Sequence, residues 1–412
     1  MKLANPALLK TVFSLKGNFS QGGTPSQRVF SGIEVAPFKN NAQAAVCISS
    51  DFEMSWAFRG RGREAAERKG LTERQNVPQI LRLLEEYAVP ITWATVGHLF
   101  LESCTRSSSG LPHAHMPRPV ANDRWDGDWY MHDPCTDFRK DPLWYAPDLV
   151  QQVIECKTPQ EIGTHSFSHM NFSNRCSTTE LVQREMEECI RVMQPFGRRP
   201  RSLVFPHNIS EYSYLPQLAD AGITAVRHRD ENVRLSYPQR TPSGVYKIYE
   251  SMNLRAARHY DYVDKAKIFI DKAMERRAAY ALWFHPSDPG ELFQNQFRGI
   301  LKHIESERRA GRIWTAPMGE LVSYCEARER LDLNVQRRDK TTIVAIRSSL
   351  NTSVYGTPDV TLLIPVQSAP ENVSLELADG RQQAQSWEWA AGEKSRRILV
   401  NIPANAKSLQ FT

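Results

Sequence analysis

The 412-residue sequence has no run of 18 uncharged apolar residues, which excludes a membrane-spanning helix. Cysteine is scarce. The seven residues stand singly, with no C-x-x-C pair, so neither a disulfide framework nor a cysteine-based zinc module is expected. Long basic runs are missing as well. Arg198-Arg199-Pro200-Arg201 is the densest cluster and is interrupted, so no nucleic-acid partner is expected. Net charge is only +6, a weak bias toward anionic partners. Residues 7–15 are mildly apolar but broken by Lys10, and no small-residue cleavage site follows. No secretory signal is read, and a cytoplasmic location is expected. What is present, 41% apolar and 24% charged residues, describes a globular chain. Its length suits one large α/β domain with a small companion.

Residues 1–40 are turn-rich and read as an arm. From 41 to about 335, helix and strand patterns alternate. Residues 44–50 (AAVCISS) are a buried strand, 76–87 an amphipathic helix capped by Asn76, and 89–96 a second strand. Helices over 180–193, 214–221, 261–277 and 297–310 alternate with strands over 201–205, 223–226, 278–284 and 313–316. This order implies βα units around a parallel sheet or barrel. A long insertion, 103–150, holds Trp125, Trp129, Tyr130, Trp144 and Tyr145; a loop of that length in a compact domain is usually functional. Residues 328–340 read as a charged connector. Residues 341–412 read as a small antiparallel β domain, suited to saccharide binding or to pairing of two copies.

Three clusters carry chemistry, each where a strand should end. Asp51-Phe52-Glu53 can split into a metal ligand and a general base, or can simply begin a helix. His165-Ser-Phe-Ser-His169 places two imidazoles at i and i+4; on a helical turn they point the same way and suit one divalent ion, or are satisfied histidines at a helix start. His285 follows an apolar strand and suits a general acid or base, with Asp288 placed to accept from its ring. Alone it reads equally well as a surface histidine. Together the three clusters would sit on the carboxyl-end face of one barrel. A carboxylate, two histidines and a separate acid–base pair equip metal-assisted hydrolysis of an amide or ester.

These residues, in this order, resemble the polysaccharide deacetylases with a NodB-homology domain. The resemblance spans about 45–320 and is strongest in GTHSFSH (163–169) and ALWFH (281–285). It implies a distorted (β/α) barrel, a divalent metal (usually zinc) and N-deacetylation of an amino sugar in a cell-surface glycan or its precursor. By the same resemblance Asp51 is the base, His285 the acid, and Glu53, His165 and His169 the metal ligands. The family commonly has two adjacent Asp, so the roles of Asp51 and Glu53 are open to exchange. The third motif departs further. Phe205-Pro206-His207-Asn208 lacks the Arg that usually precedes the Pro, and Arg201 and Arg227 are the candidates to replace it. His207 and Asn208, with Phe205 and Pro206, are expected to line the substrate site. Trp129, Tyr130, Asp133 and Trp144 of the insertion are expected to contact sugar, or else to form a small core that pins the loop. The partner expected is an N-acetylated saccharide. Formamido sugars or cyclic amides are the alternative substrates, and a catalytically silent glycan-binding protein is the alternative class.

Overall fold

The computed structural model of the chain describes residues 22–209, 211–256, 261–338, 340–390 and 396–412; the start of the expected arm, 1–21, lies outside them. The end of that arm is sheet. Strands β1 (Val29–Phe30) and β2 (Ile33–Val35) pair through a turn at Ser31 and Gly32, both with positive φ. Strand β3 (Ala44–Phe52) is the spine of the larger domain, and all nine of its residues are buried. That is the mark of a parallel strand covered on both faces.

There follow α1 (Arg63–Glu86), β4 (Thr92–Thr95), α2 (Pro147–Ile154), β5 (Glu161–Thr164), α3 (Thr179–Met193), β6 (Ser202–Val204), α4 (Leu215–Asp220) and β7 (Ala225–His228). Next come β8 (Gln239–Arg240), β9 (Tyr246–Tyr249), β10 (Met252–Leu254), α5 (Tyr262–Arg276), β11 (Ala279–Phe284), α6 (Arg298–Arg309), β12 (Ile313–Thr315) and α7 (Met318–Arg330). The sheet order is β10-β11-β3-β4-β5-β6-β7-β9-β8, with β12 also beside β3. Every ladder is parallel except β8–β9. The expected α/β architecture is thus a curled, distorted barrel; its end strands share no ladder among the described residues.

Three expectations change. Helix α1 starts well before residue 76, because its first half is rich in polar helix formers that leave no apolar stripe. Asn76 is therefore not a cap. It is buried mid-helix, and its Nδ2 donates to the carbonyls of Pro286 at 2.8 Å and Asp288 at 2.7 Å. Residues 328–340 are not a connector. Helix α7 runs straight into β13 (Leu331–Arg338), which pairs with β14 (Thr341–Ser348). Buried Leu331 and Leu333 alternate with exposed Asp332 and Asn334, a period-two pattern that the charges hide. Finally, the segment 165–169 is a loop, not a helical turn.

The C-terminal region is β apart from one helical turn, Thr352–Tyr355. Strands β15 (Asp359–Pro365), β16 (Val373–Glu376), β17 (Gln382–Ala384), β18 (Glu388–Trp389), β19 (Arg397–Pro403) and β20 (Ser408–Phe411) complete two antiparallel sheets, β1-β2-β15-β19-β18 and β13-β14-β20-β16-β17. Leu362 and Val400 from one sheet and Leu375 and Leu409 from the other share a core. Three of these strands, β1, β2 and β13, come from outside the range 341–412.

Candidate active site

Strand β3 carries Asp51 near its end, and Glu53 follows it. The turn is clamped from α1. Glu73 accepts the backbone N–H of Glu53 at 2.8 Å and of Met54 at 3.0 Å. The loop after β5 is strained where it must turn: Ser166 and His169 both have φ of 58°. Ser168 anchors it. Its N–H and hydroxyl donate to Glu185 at 2.9 and 2.6 Å, and its carbonyl accepts from Arg59 at 2.9 Å. Trp129 Nε1 donates to the same hydroxyl at 2.9 Å.

The two imidazoles converge although no helix presents them. Nε2 of His165 and Nε2 of His169 each lie 3.1 Å from Glu53 Oε1. His165 donates its Nδ1–H to the Val204 carbonyl at 2.7 Å. A neutral ring then aims the Nε2 lone pair at a carboxylate oxygen, which is repulsive unless a cation lies between or the ring is protonated. One carboxylate and two imidazoles within 4.8 Å of one another fit a divalent ion. Burial pulls His169 down to about 4, which keeps it neutral, as a ligand must be. Burial pushes Glu53 up, but His285 and the close contacts with His165 and His169 outweigh it and hold the carboxylate well below its usual range.

Asp51 faces a guanidinium. Arg227, on β7, reaches across the sheet to Asp51 Oδ1 at 2.6 Å and Oδ2 at 2.7 Å, and both residues are buried. Its remaining bonds go to Ser49 Oγ at 3.1 Å and Asn208 Oδ1 at 3.2 Å, and it lies 4.2 Å over the Trp283 ring. Of the two candidates for the missing third-motif Arg, Arg227 holds Asp51. His285, just past β11, places Nε2 3.9 Å from Asp51 Oδ2 and 3.9 Å from Glu53 Oε2. Asp288 does not orient that ring. Its backbone N–H donates to the His285 carbonyl at 3.1 Å, and its Oδ2 is buried without a hydrogen-bond partner among the described residues.

A cavity of about 350 Å³ opens over Asp51, Glu53, His169 and His285. His207 and Asn208 line it, with φ of 61° and 56°. Phe205 and Pro206 do not; they are buried beneath it, Phe205 against Phe172. The insertion residues do not line it either. Trp129, Tyr130, Asp133 and Trp144 are all buried. Trp129 stacks on Trp125 and Trp144 donates to Glu67, so these rings act as the core that pins the insertion. Four basic residues line the cavity instead, Arg61, Lys69, Arg229 and Arg255, together with Asp288. Nothing in the local spacing marks these four, nor Glu73, Asn76 and Glu185, as site residues.

Fold and site together describe an α/β domain with a candidate metal-binding site at the ends of its parallel strands, and part of the chain matches a known family model. Residues 69–226 match the family model described as polysaccharide deacetylase. The match includes His165, His169 and Phe205–Asn208, and ends before Arg227 and His285. In fold, the chain is similar to a protein assigned as a polysaccharide deacetylase from Mycobacterium smegmatis, with TM-score 0.51 and 14% identity over 77% of this chain and 99% of that one. Weaker likenesses are to an assigned polysaccharide deacetylase from Pseudomonas aeruginosa PAO1 (TM-score 0.46, 11% identity, 70% and 92% covered) and a family 4 acetyl xylan esterase from Clostridium thermocellum (0.36, 12%, 68% and 90%). No curated protein matches the chain. Over residues 69–226 the family model bears out the resemblance to the polysaccharide deacetylases read from the motifs.

Proposed function

We propose that the protein is a divalent-metal-dependent hydrolase that removes the N-acetyl group from an amino sugar of a glycan or glycan precursor. The observation that supports this best is one cavity lined by Asp51, Glu53, His169 and His285, with His165 completing the ligand cluster on Glu53 and Arg227 paired to Asp51. Zinc is the ion that the donor set suits, and it would supply a water of lowered pKa and polarise the acyl oxygen. Asp51, oriented by two bonds from Arg227, accepts the proton of the attacking water. His285, whose Nε2 lies 3.9 Å from an oxygen of each carboxylate, donates a proton to the amide nitrogen as acetate leaves. The missing third-motif Arg favours a silent binding protein; Arg227 supplies that guanidinium from another strand. Acetate release from N-acetylated glycan precursors, abolished by a chelator and restored by zinc or cobalt, is the expected result. Release of formate or ring-opened amide would move the substrate; release of no acid at all from the metal-loaded protein would sink the reading.

The basic wall points to an anionic group on that saccharide, such as a phosphate or a carboxylate. Among the described residues Arg61, Lys69 and Arg255 form no ion pair, whereas Arg229 lies 3.5 Å from Glu250. Arg255→Ala is expected to raise KM for a phosphate-bearing substrate about 10-fold, or about 1.4 kcal/mol, with kcat nearly unchanged. A neutral N-acetylated sugar should be unaffected. Equal effects on both substrates would remove the charge argument.

A further inference from the structure

The insertion holds a second cluster of metal-ligand side chains, and it lies outside the cavity. Asp133 Oδ2 is 2.7 Å from His113 Nε2, 2.9 Å from His98 Nε2 and 3.2 Å from Cys104 Sγ. The four ligand atoms lie within 4.8 Å of one another. His98, His113 and Asp133 are buried and Cys104 is partly so. The other Asp133 oxygen is already engaged: Oδ1 accepts from the Tyr145 hydroxyl at 2.9 Å and the Cys135 N–H at 2.8 Å. Read as hydrogen bonds alone, five donors crowd a carboxylate with about four lone-pair positions, three of them on one oxygen. That arrangement is over-subscribed.

A cation at the point where these atoms converge removes the crowding. Two imidazole nitrogens, a thiolate and a carboxylate are the donors of a closed four-coordinate site. Their charges also balance. Thiolate and carboxylate together cancel a divalent ion, so the pocket is neutral overall, as burial requires. The placement gives such a site a purpose. His98 sits on the turn after β4, while Cys104, His113 and Asp133 are spread along the insertion, where no helix or multi-residue strand forms between Leu101 and Ala146. A segment of that length has little backbone pairing to hold it. One ion would tie three of its points to the scaffold.

We propose that His98, Cys104, His113 and Asp133 bind a second divalent ion, of zinc type, that is structural and staples the insertion to the barrel. The site touches the first centre only through the scaffold. The His98 ring stacks on Trp56 at 3.8 Å, and its backbone N–H donates to the carbonyl of Phe167, between the two histidines of the cavity. With no open coordination position, it takes no substrate.

The thiolate provides the test, because the three ligands of the cavity site include no sulfur. Full-length protein produced in cobalt-supplemented medium is expected to hold about two equivalents of metal and to show a near-ultraviolet thiolate-to-cobalt charge-transfer band. The His165→Ala, His169→Ala double variant should keep that band and about one equivalent. Cys104→Ser should lose the band, and Cys135→Ser should keep it. The wild-type spectrum alone decides even if Cys104→Ser fails to fold. Folded, cobalt-loaded wild type without the band, or metal lost completely in the double variant, would overturn the site. Because the band is read without turnover, its absence is separable from any failure of the deacetylase reading.

Discussion

Asp51→Asn is expected to lower kcat by about 10²–10⁴-fold, the usual scale for removing a positioned general base, and to leave the metal content unchanged. The two halves of this result test different things. The loss of turnover follows because an amide cannot take the proton of the attacking water. Retention of metal follows because Glu53, not Asp51, lies 3.1 Å from both imidazole nitrogens, while Asp51 is occupied by Arg227. Glu53→Gln is the matching control and should lose metal and turnover together, since a neutral amide is a much weaker ligand for zinc than a carboxylate. If Asp51→Asn instead strips the metal and Glu53→Gln retains it, the roles of the two carboxylates are exchanged. Metal content by elemental analysis and acid release in the same preparations separate these outcomes.

The residues proposed to carry the chemistry were readable because each sits beside a local signal. Asp51, Glu53 and His285 follow apolar runs, and His165 and His169 stand at fixed spacing. The residues that hold them in place were not readable. Asn76, Glu73 and Glu185 are polar positions within helices, and in sequence such positions look like a solvent face. Their partners lie 17 to 212 residues away, on loops whose path only the fold sets. Arg227 shows the same limit. It was one of two candidates, and only the crossing from β7 to β3, past β4, β5 and β6, selects it. The spacing of His165 and His169 pointed to shared ligation for a helical reason, yet a strained loop brings them together. For the aromatic insertion the sequence left a sugar surface and a pinning core equally open, because composition does not tell a ring that faces solvent from one that fills a core; the buried rings select the core. Strand β13 was hidden because charge on its solvent face outweighed its two buried leucines in a composition count.

Arg227→Met should be the most destabilising of the substitutions considered. Removing one partner of a buried ion pair leaves the other charge uncompensated, at a cost of about 3–5 kcal/mol. The lower end is expected here, since His165 and His285 also face Asp51. Arg227→Lys should recover part of the loss, because a point charge cannot make both bonds of the guanidinium fork. Adding Asp51→Asn to Arg227→Met should cost less than the two single changes summed, because the carboxylate that was stranded is gone. Burial pushes Asp51 up; Arg227, with His165 and His285, outweighs burial and holds it below its ordinary value. A depressed carboxyl contributes stability above its unfolded-state pKa and loses it as pH falls through the folded-state value. Without Arg227 the folded-state value rises toward or past the unfolded-state one, so the loss of stability on acidification shrinks, and protonation becomes stabilising once it passes. The acid limb of the kcat/KM profile should move to higher pH, because the base is protonated sooner. Urea unfolding across a pH series, with the rate profile measured alongside, reads both. A protein that is merely less stable, with additive single changes and an unmoved acid limb, would make Arg227 a packing residue rather than the one that positions and ionises Asp51.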